Sequence, residues 1–293
     1  EHHAWNPTSR RILCYNVCRM PLKVLTLGSG VCANSCLPGK RRFPPGFLID
    51  YNNQLLLLDV SEGVRSRLED AGYDYGRLTK IAVTHVHPDH ADLSPFLQAK
   101  LCRTLWGEPV EGMEHLDVYM PEISIKGFED TWNWRHPEAG GKLNHMPEKF
   151  KFDIHPMRGE WEEEIFPGLK LKAFGVYHGF GQHPSLGFRV EAEGKSIVYT
   201  GDTGMVESLF KNVEPADLLI ADCGVRIGQE YTGGYGHMGP SQCGMLAYRS
   251  KVKELWLTHY VGYDAPAAME AEARKSGFTG TLKVATDGLE WRA

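Results

Sequence analysis

Lys80-Ile-Ala-Val-Thr-His85-Val-His87-Pro-Asp89-His90 decides how this chain is read. Lys80–Thr84 is a short apolar, β-branched run of the kind found in buried strands. Four candidate ligands follow within six residues, directly past the strand end. Alternation near a strand end points His85 and His87 to one side. The turn made by Pro88 lets Asp89 and His90 face the other side, so one loop can serve two metal ions. Imidazole and carboxylate donors without thiolate suit zinc, manganese or iron at a catalytic site. The bland alternative is a chance cluster of histidines on a surface loop, and this spacing straight after a buried strand argues against it.

Upstream of that stretch, Pro21–Gly28 alternates as a strand and leads into a Gly-, Pro- and Arg-containing loop. Phe47–Tyr51 and Gln54–Asp59 read as a hairpin around Asn52-Asn53. Glu62–Ala71 reads as a helix with Ser61 as its N-cap and Gly72 as its stop. Downstream, a helix starting near Asp92 carries Leu93, Phe96, Leu97 and Leu101 on its apolar side. Residues 104–165, with Trp132, Trp134, Trp161 and many prolines, show no clean period and read as an insertion. Strands resume at Leu169–Val176, Leu186–Glu191, Ser196–Thr200, Asp217–Ala221, Glu254–Thr258 and Thr281–Ala285. Helices fall at about Pro240–Arg249 and Pro266–Ser276. Each half thus runs strands first and strand–helix units after, which predicts an α/β fold of two face-to-face sheets with helices outside.

The 293 residues are 42% hydrophobic and 24% charged, an ordinary globular composition that excludes a coiled coil or a disordered chain. Residues 20–293 are expected to form one domain, with 1–19 an N-terminal extension, native or added. The longest apolar runs, Leu55–Leu58 and Leu218–Ala221, are far too short to span a bilayer. A net charge of −5 argues against a uniformly basic nucleic-acid coat. Seven cysteines, an odd and sparse set, do not form a secreted disulfide scaffold, so a cytoplasmic location is the expectation.

With these residues in view, the chain resembles the metallo-β-lactamase-fold hydrolases, whose signature is His-x-His-x-Asp-His. The resemblance implies a four-layer αββα sandwich and further ligands at later strand ends. It implies that His85, His87 and His178 hold one divalent ion, that Asp89, His90 and His259 hold a second, and that Asp202 bridges them. Zinc is the expected metal, with manganese or iron as alternatives. His183 competes with His178, being only five residues on.

A fold does not fix a reaction. Asp222 ends a predicted strand, and His237 sits in Gly236-His237-Met238. In the ribonuclease Z and phosphodiesterase branch, a His in a corresponding motif protonates the leaving oxygen and an acid orients it; Asp222 and His237 resemble that pair. An acid beside a histidine raises the imidazole pKa and fixes its tautomer, as general-acid work needs. Pro38-Gly-Lys40-Arg-Arg42 resembles the branch's Pro-x-Lys-x-Arg-Asn loop, with Phe43 where Asn is expected. That likeness makes Lys40 and Arg42 candidates for phosphate contacts. The long arm that some members insert before the bridging Asp has no counterpart between His178 and Asp202.

The resemblance therefore implies a dinuclear phosphodiesterase or endonuclease of tRNA-processing type. A metal-bridging hydroxide would attack phosphorus, with Asp89 and Asp202 positioning it. RNA is the expected partner class, no membrane is involved, and a homodimer is compatible with the fold. The alternative is attack on a carbonyl by a lactonase, thioesterase or β-lactam hydrolase of the same fold. A zinc site on Cys14, Cys18, Cys32 and Cys36 is a weaker reading, because the usual spacing is Cys-x2-Cys.

Overall fold

The computed structural model describes residues 22–32, 41–136, 148–181, 183–230 and 235–293. Lys40, with the rest of 33–40, and the extension 1–19 lie outside the described residues, as do three of the four cysteines of the weaker zinc reading.

Two seven-stranded sheets make up the fold. The first is built from β1 (Lys23–Gly28), β2 (Gly46–Tyr51), β3 (Gln54–Leu58), β4 (Lys80–Ala82), β5 (His115–Pro121), β6 (Lys151–Met157) and, at its far edge beside β1, β14 (Glu290–Arg292). The second runs from β7 (Glu160–Phe166) through β8 (Leu169–His178), β9 (His183–Ala192), β10 (Lys195–Tyr199), β11 (Leu218–Asp222) and β12 (Glu254–Thr258) to β13 (Thr281–Val284). Both follow one plan. Antiparallel pairing in β14-β1-β2-β3 gives way to parallel pairing in β3-β4-β5-β6, and β7-β8-β9-β10 gives way to β10-β11-β12-β13 in the same manner.

Three apolar layers explain the stacking. Between the sheets, Phe47, Ile49, Leu56 and Leu58 meet Leu171, Phe188, Val190 and Ile197. Outside the first sheet, Leu48, Leu57 and Ile81 pack on α1 (Val64–Asp70), α2 (Leu93–Trp106) and α3 (Ile125–Arg135). Outside the second, Val198, Leu219 and Leu255 pack on α4 (Glu207–Val213), α5 (Pro240–Arg249) and α6 (Pro266–Arg274). Central strands covered on both faces lose the alternation of half-exposed strands, and β2 is buried at every position. This is the αββα sandwich expected from the sequence.

The Asn52-Asn53 turn carries φ values of 52° and 64°, the doubly left-handed geometry of the tightest hairpins. Helix α5 matches its predicted bounds. Other readings need correction. Ser61 does not cap α1: its Oγ donates to Pro44 O at 3.0 Å, and Gly63, at φ 76°, stands at the cap position. The run 104–165 is not an appendage. It supplies β5 and β6 of the first sheet, α3 over them, and β7 of the second. Strand β5 gave no clean period because it is inner, parallel and buried along almost its whole length. Trp132 is buried and Trp161 packs on the inter-sheet core, whereas Trp134 is exposed. Helix α4 and strand β14 were not foreseen; both are short. Helix α2 also buries Lys100, whose Nζ donates to the carbonyls of Gly76, Leu78 and Gly112 at 2.7, 2.5 and 3.0 Å.

Candidate metal centre

Strand ends from both sheets converge at one edge of the sandwich. His85 follows β4, His178 ends β8, Asp202 follows β10, Asp222 ends β11 and His259 follows β12. Among the described residues, one group of donors is His85, His87, His178 and Asp202, with ligand atoms all within 4.8 Å of one another. A second is Asp89, His90 and His259, and a third joins Asp202, Asp222, His237 and His259. All seven side chains expected as ligands thus lie together. His178 is the histidine in the cluster; His183 is its partner across the β8–β9 hairpin.

Hydrogen bonds on the far sides of the rings fix which nitrogens face inward. The Nδ1 of His178 donates to Gly236 O at 2.9 Å, which leaves Nε2 as the inward acceptor. Thr84 Oγ1 donates to Asp59 Oδ2 at 3.0 Å and so accepts from His85 Nδ1, also at 3.0 Å. His87 Nδ1 then lies 2.9 Å from His85 Nε2 and 3.1 Å from His178 Nε2. Three ring nitrogens aimed at one point, at least two of them bare of protons, suit a cation between them. Burial holds His85 and His178 below the ordinary imidazole pKa, which keeps both rings neutral. On the second side, Nε2 of His90 and of His259 are buried and make no hydrogen bond. They lie 3.2 and 3.3 Å from Asp202 Oδ1 and Oδ2, and His259 Nε2 is 3.7 Å from Asp89 Oδ2. Orphaned imidazole nitrogens facing carboxylates are the donor set of a divalent metal site. The residues fit the metals.

Asp59 holds this arrangement from behind. Fully buried and at φ 61°, it accepts from His90 Nδ1 at 2.7 Å, from Tyr199 Oη at 2.7 Å and from the Thr84 backbone N–H at 2.7 Å. The sequence reading missed it. The available signal was a lone carboxylate closing the apolar run Gln54–Leu58 at a strand end.

Asp222 is fully buried. Its Oδ2 accepts from His237 Nδ1 at 2.9 Å and from the Thr203 N–H at 2.9 Å, and its Oδ1 accepts from the Gly224 N–H at 2.9 Å. Burial opposes a charge on His237, but the Asp222 carboxylate outweighs it and pushes the ring up to about 9. The His237 ring stacks on His259 at 5.0 Å between centroids. Tyr235 stands at the rim with its Oη 3.3 Å from His87 Nε2 and meets the exposed Phe180 edge-on.

Arg42, expected as a phosphate contact, is engaged by its own chain. Its guanidinium donates to Ala285 O and Ser29 Oγ and lies 4.2 Å from the centre of the Tyr260 ring. Asp287 ties down the same corner through Ser29 and the Phe43 N–H.

The family model described as "Beta-lactamase superfamily domain" matches residues 56–260, from β3 to just past His259. The chain belongs to the beta-lactamase superfamily. Among solved structures, this superfamily member superimposes on the metallo-beta-lactamase fold protein YhfI from Bacillus subtilis with a TM-score of 0.75 at 24% identity, covering 93% of this chain and all of that one. It superimposes on the short form of human tRNase Z with a TM-score of 0.68 at 23% identity, over 92% and 98% of the two chains. Curated relatives include the ribonuclease Z of Mycobacterium bovis, 25% identical over 91% of this chain and 96% of that protein. The ribonuclease Z of Saccharolobus islandicus is 27% identical over 81% and 88%. Fold, donor set and relatives make the chain a metal-dependent hydrolase. Among the described residues, no helix is long and apolar enough to cross a membrane.

Proposed function

We propose that this hydrolase cleaves phosphodiester bonds in the manner of a ribonuclease Z-like endonuclease, with RNA as its substrate class and zinc as its metal. The observation that carries this reading is the Asp222–His237 pair, placed against His259 and the Asp202 donor group. His85, His87 and His178 would hold one ion, Asp89, His90 and His259 the other, and Asp202 would face both. Bound there, the metals supply Lewis acidity and a water of lowered pKa.

The protein's own groups do the rest. Asp89 and Asp202 orient the attacking water and balance the charge of the centre. His237, held protonated by Asp222, delivers a proton to the departing oxygen from Nε2, because Nδ1 is committed to the carboxylate. Carbonyl cleavage by a lactonase or β-lactam hydrolase is less well supported, since the curated relatives reported above are ribonuclease Z proteins. Arg42 and Lys40 are the candidate phosphate contacts, Arg42 being also engaged with Ala285 and Ser29. The metal-site ligands, the acid–base pair and a cytoplasmic location are parts of this same reading.

The test compares a chromogenic phosphodiester with a chromogenic β-lactam, using wild-type protein and His237→Ala. Selective loss of phosphodiester turnover supports the proton-donor role; equal loss on both substrates contradicts it.

A further inference from the structure

Beside the metal centre lies a cavity of about 520 Å³ that the mechanism does not use. Its size falls within the roughly 300–1,000 Å³ of small-molecule sites. One wall is the metal loop itself. His85 and His87 turn into the donor cluster, and the residues interleaved with them, Val86 and Pro88, line the neighbouring cavity. The opposite wall is α3, through Gly127 and Phe128, with Met120 and Pro184 also contributing apolar surface. Asp92 also lines it, and its side chain makes no cap hydrogen bond to α2, which it precedes.

We propose that this cavity is a specificity pocket for one nucleobase of the substrate, adjacent to the cleaved bond, and that Asp92 reads an exocyclic amino group on that base. The inference deepens the phosphodiesterase reading and rests on it for the nature of the substrate. The apolar lining suits the faces of a flat ring, and adjoining a loop of ligands places that ring one residue from the chemistry. Arg135 also lines the cavity and offsets part of the Asp92 charge, but an alkyl chain would still leave the Asp92 carboxylate without a hydrogen-bond donor from the ligand, at a cost in affinity. A base with an amino group satisfies both features, since a carboxylate accepts from such a group. Guanine, adenine and cytosine qualify; thymine and uracil lack the amino group.

Gly127 gives a clean way to close the pocket. A Cβ at this position meets nothing within 4 Å, so Gly127→Ala leaves the cavity open, while Gly127→Trp adds an indole at a position that lines it. Two readouts are needed on zinc-loaded protein. The first is calorimetric binding of guanosine and thymidine 5′-monophosphates. The second is turnover of bis(p-nitrophenyl) phosphate, which carries no base. The proposal expects guanosine monophosphate to bind wild type and Gly127→Ala alike, and to bind Gly127→Trp and Asp92→Asn about tenfold or more weakly. Thymidine monophosphate should bind weakly throughout, and bis(p-nitrophenyl) phosphate turnover should stay within about twofold in Gly127→Trp. Equal guanosine monophosphate binding by wild type and Gly127→Trp overturns the pocket, as does equal binding of the two nucleotides by wild type. If wild type turns over no phosphodiester yet base binding follows this pattern, the phosphodiesterase reading falls and the pocket stands.

Discussion

Asp59 accepts a hydrogen bond from His90 Nδ1 at 2.7 Å, from the core side of the candidate metal centre. The same carboxylate group accepts from Tyr199 and twice from Thr84, and Thr84 in turn orients His85. One buried side chain thus sets the tautomers of a ligand in each donor group. Asp59→Asn keeps the shape but turns an N–H group toward at least one of these donors. Loss of an outer carboxylate partner costs about 10–100-fold in metal affinity. Competition with a chromophoric chelator should show weakened binding in Asp59→Asn. Unchanged affinity would mean that Asp59 serves folding alone.

The Asp222–His237 pair should behave as a unit. His237→Ala and Asp222→Ala should each lower phosphodiester kcat by about 10²–10⁴-fold, the range of a general acid. The double variant should be little worse than His237→Ala, because Asp222 acts through the ring. Rates that multiply in the double variant would show the two groups acting separately.

Gly236 adopts φ 105° directly before His237, and its carbonyl is the acceptor for His178. A Cβ there would lie 2.6 Å from Tyr177 O and 2.7 Å from His178 Cα. Gly236→Ala should therefore cost about 2 kcal/mol or more in urea unfolding, and lose metal from the His178 side. Gly72, with nothing within 4 Å, serves as a control for left-handed strain alone.

At the opposite end of the sheet edge, Asp117 lies 2.5 Å from Lys80 Nζ and 3.1 and 3.2 Å from Nε2 of His115 and His155. Burial works against its charge, but the bond from Lys80 prevails and holds the carboxyl down at about 2. A carboxyl depressed on folding contributes stability above its unfolded pKa, near 3.9, and loses it as pH falls toward the folded value. The stability gap between wild type and Asp117→Asn should accordingly be full above about pH 4 and close between about pH 4 and 2. A gap independent of pH across that window would remove the charge from the explanation.

Legibility in the sequence followed burial. The loop His85–His90, the Asn52-Asn53 hairpin and α5 were readable because their signals are local: spacing, turn chemistry and helical period. The grouping of His178, Asp202 and His259 was readable through the family resemblance, with each residue's place at a strand end in support. Strand β5 was not, since an inner parallel strand has no alternation to show. Lys100 and Asp59 were missed for a related reason. Their partners are backbone carbonyls and side chains distant in sequence, and nothing local marks a charge that tertiary structure will bury. Arg42 was assigned by motif position, but its guanidinium is taken up by Ala285, Ser29 and Tyr260, contacts that no spacing reveals.

The central claim is that seven side chains hold two divalent ions. Zinc stoichiometry by elemental analysis, on wild type reconstituted and then desalted, tests it most directly. The account predicts about two equivalents per chain for wild type and a loss from both positions in Asp202→Ala. Wild type that retains one equivalent or none after reconstitution, with its fold intact, would contradict it.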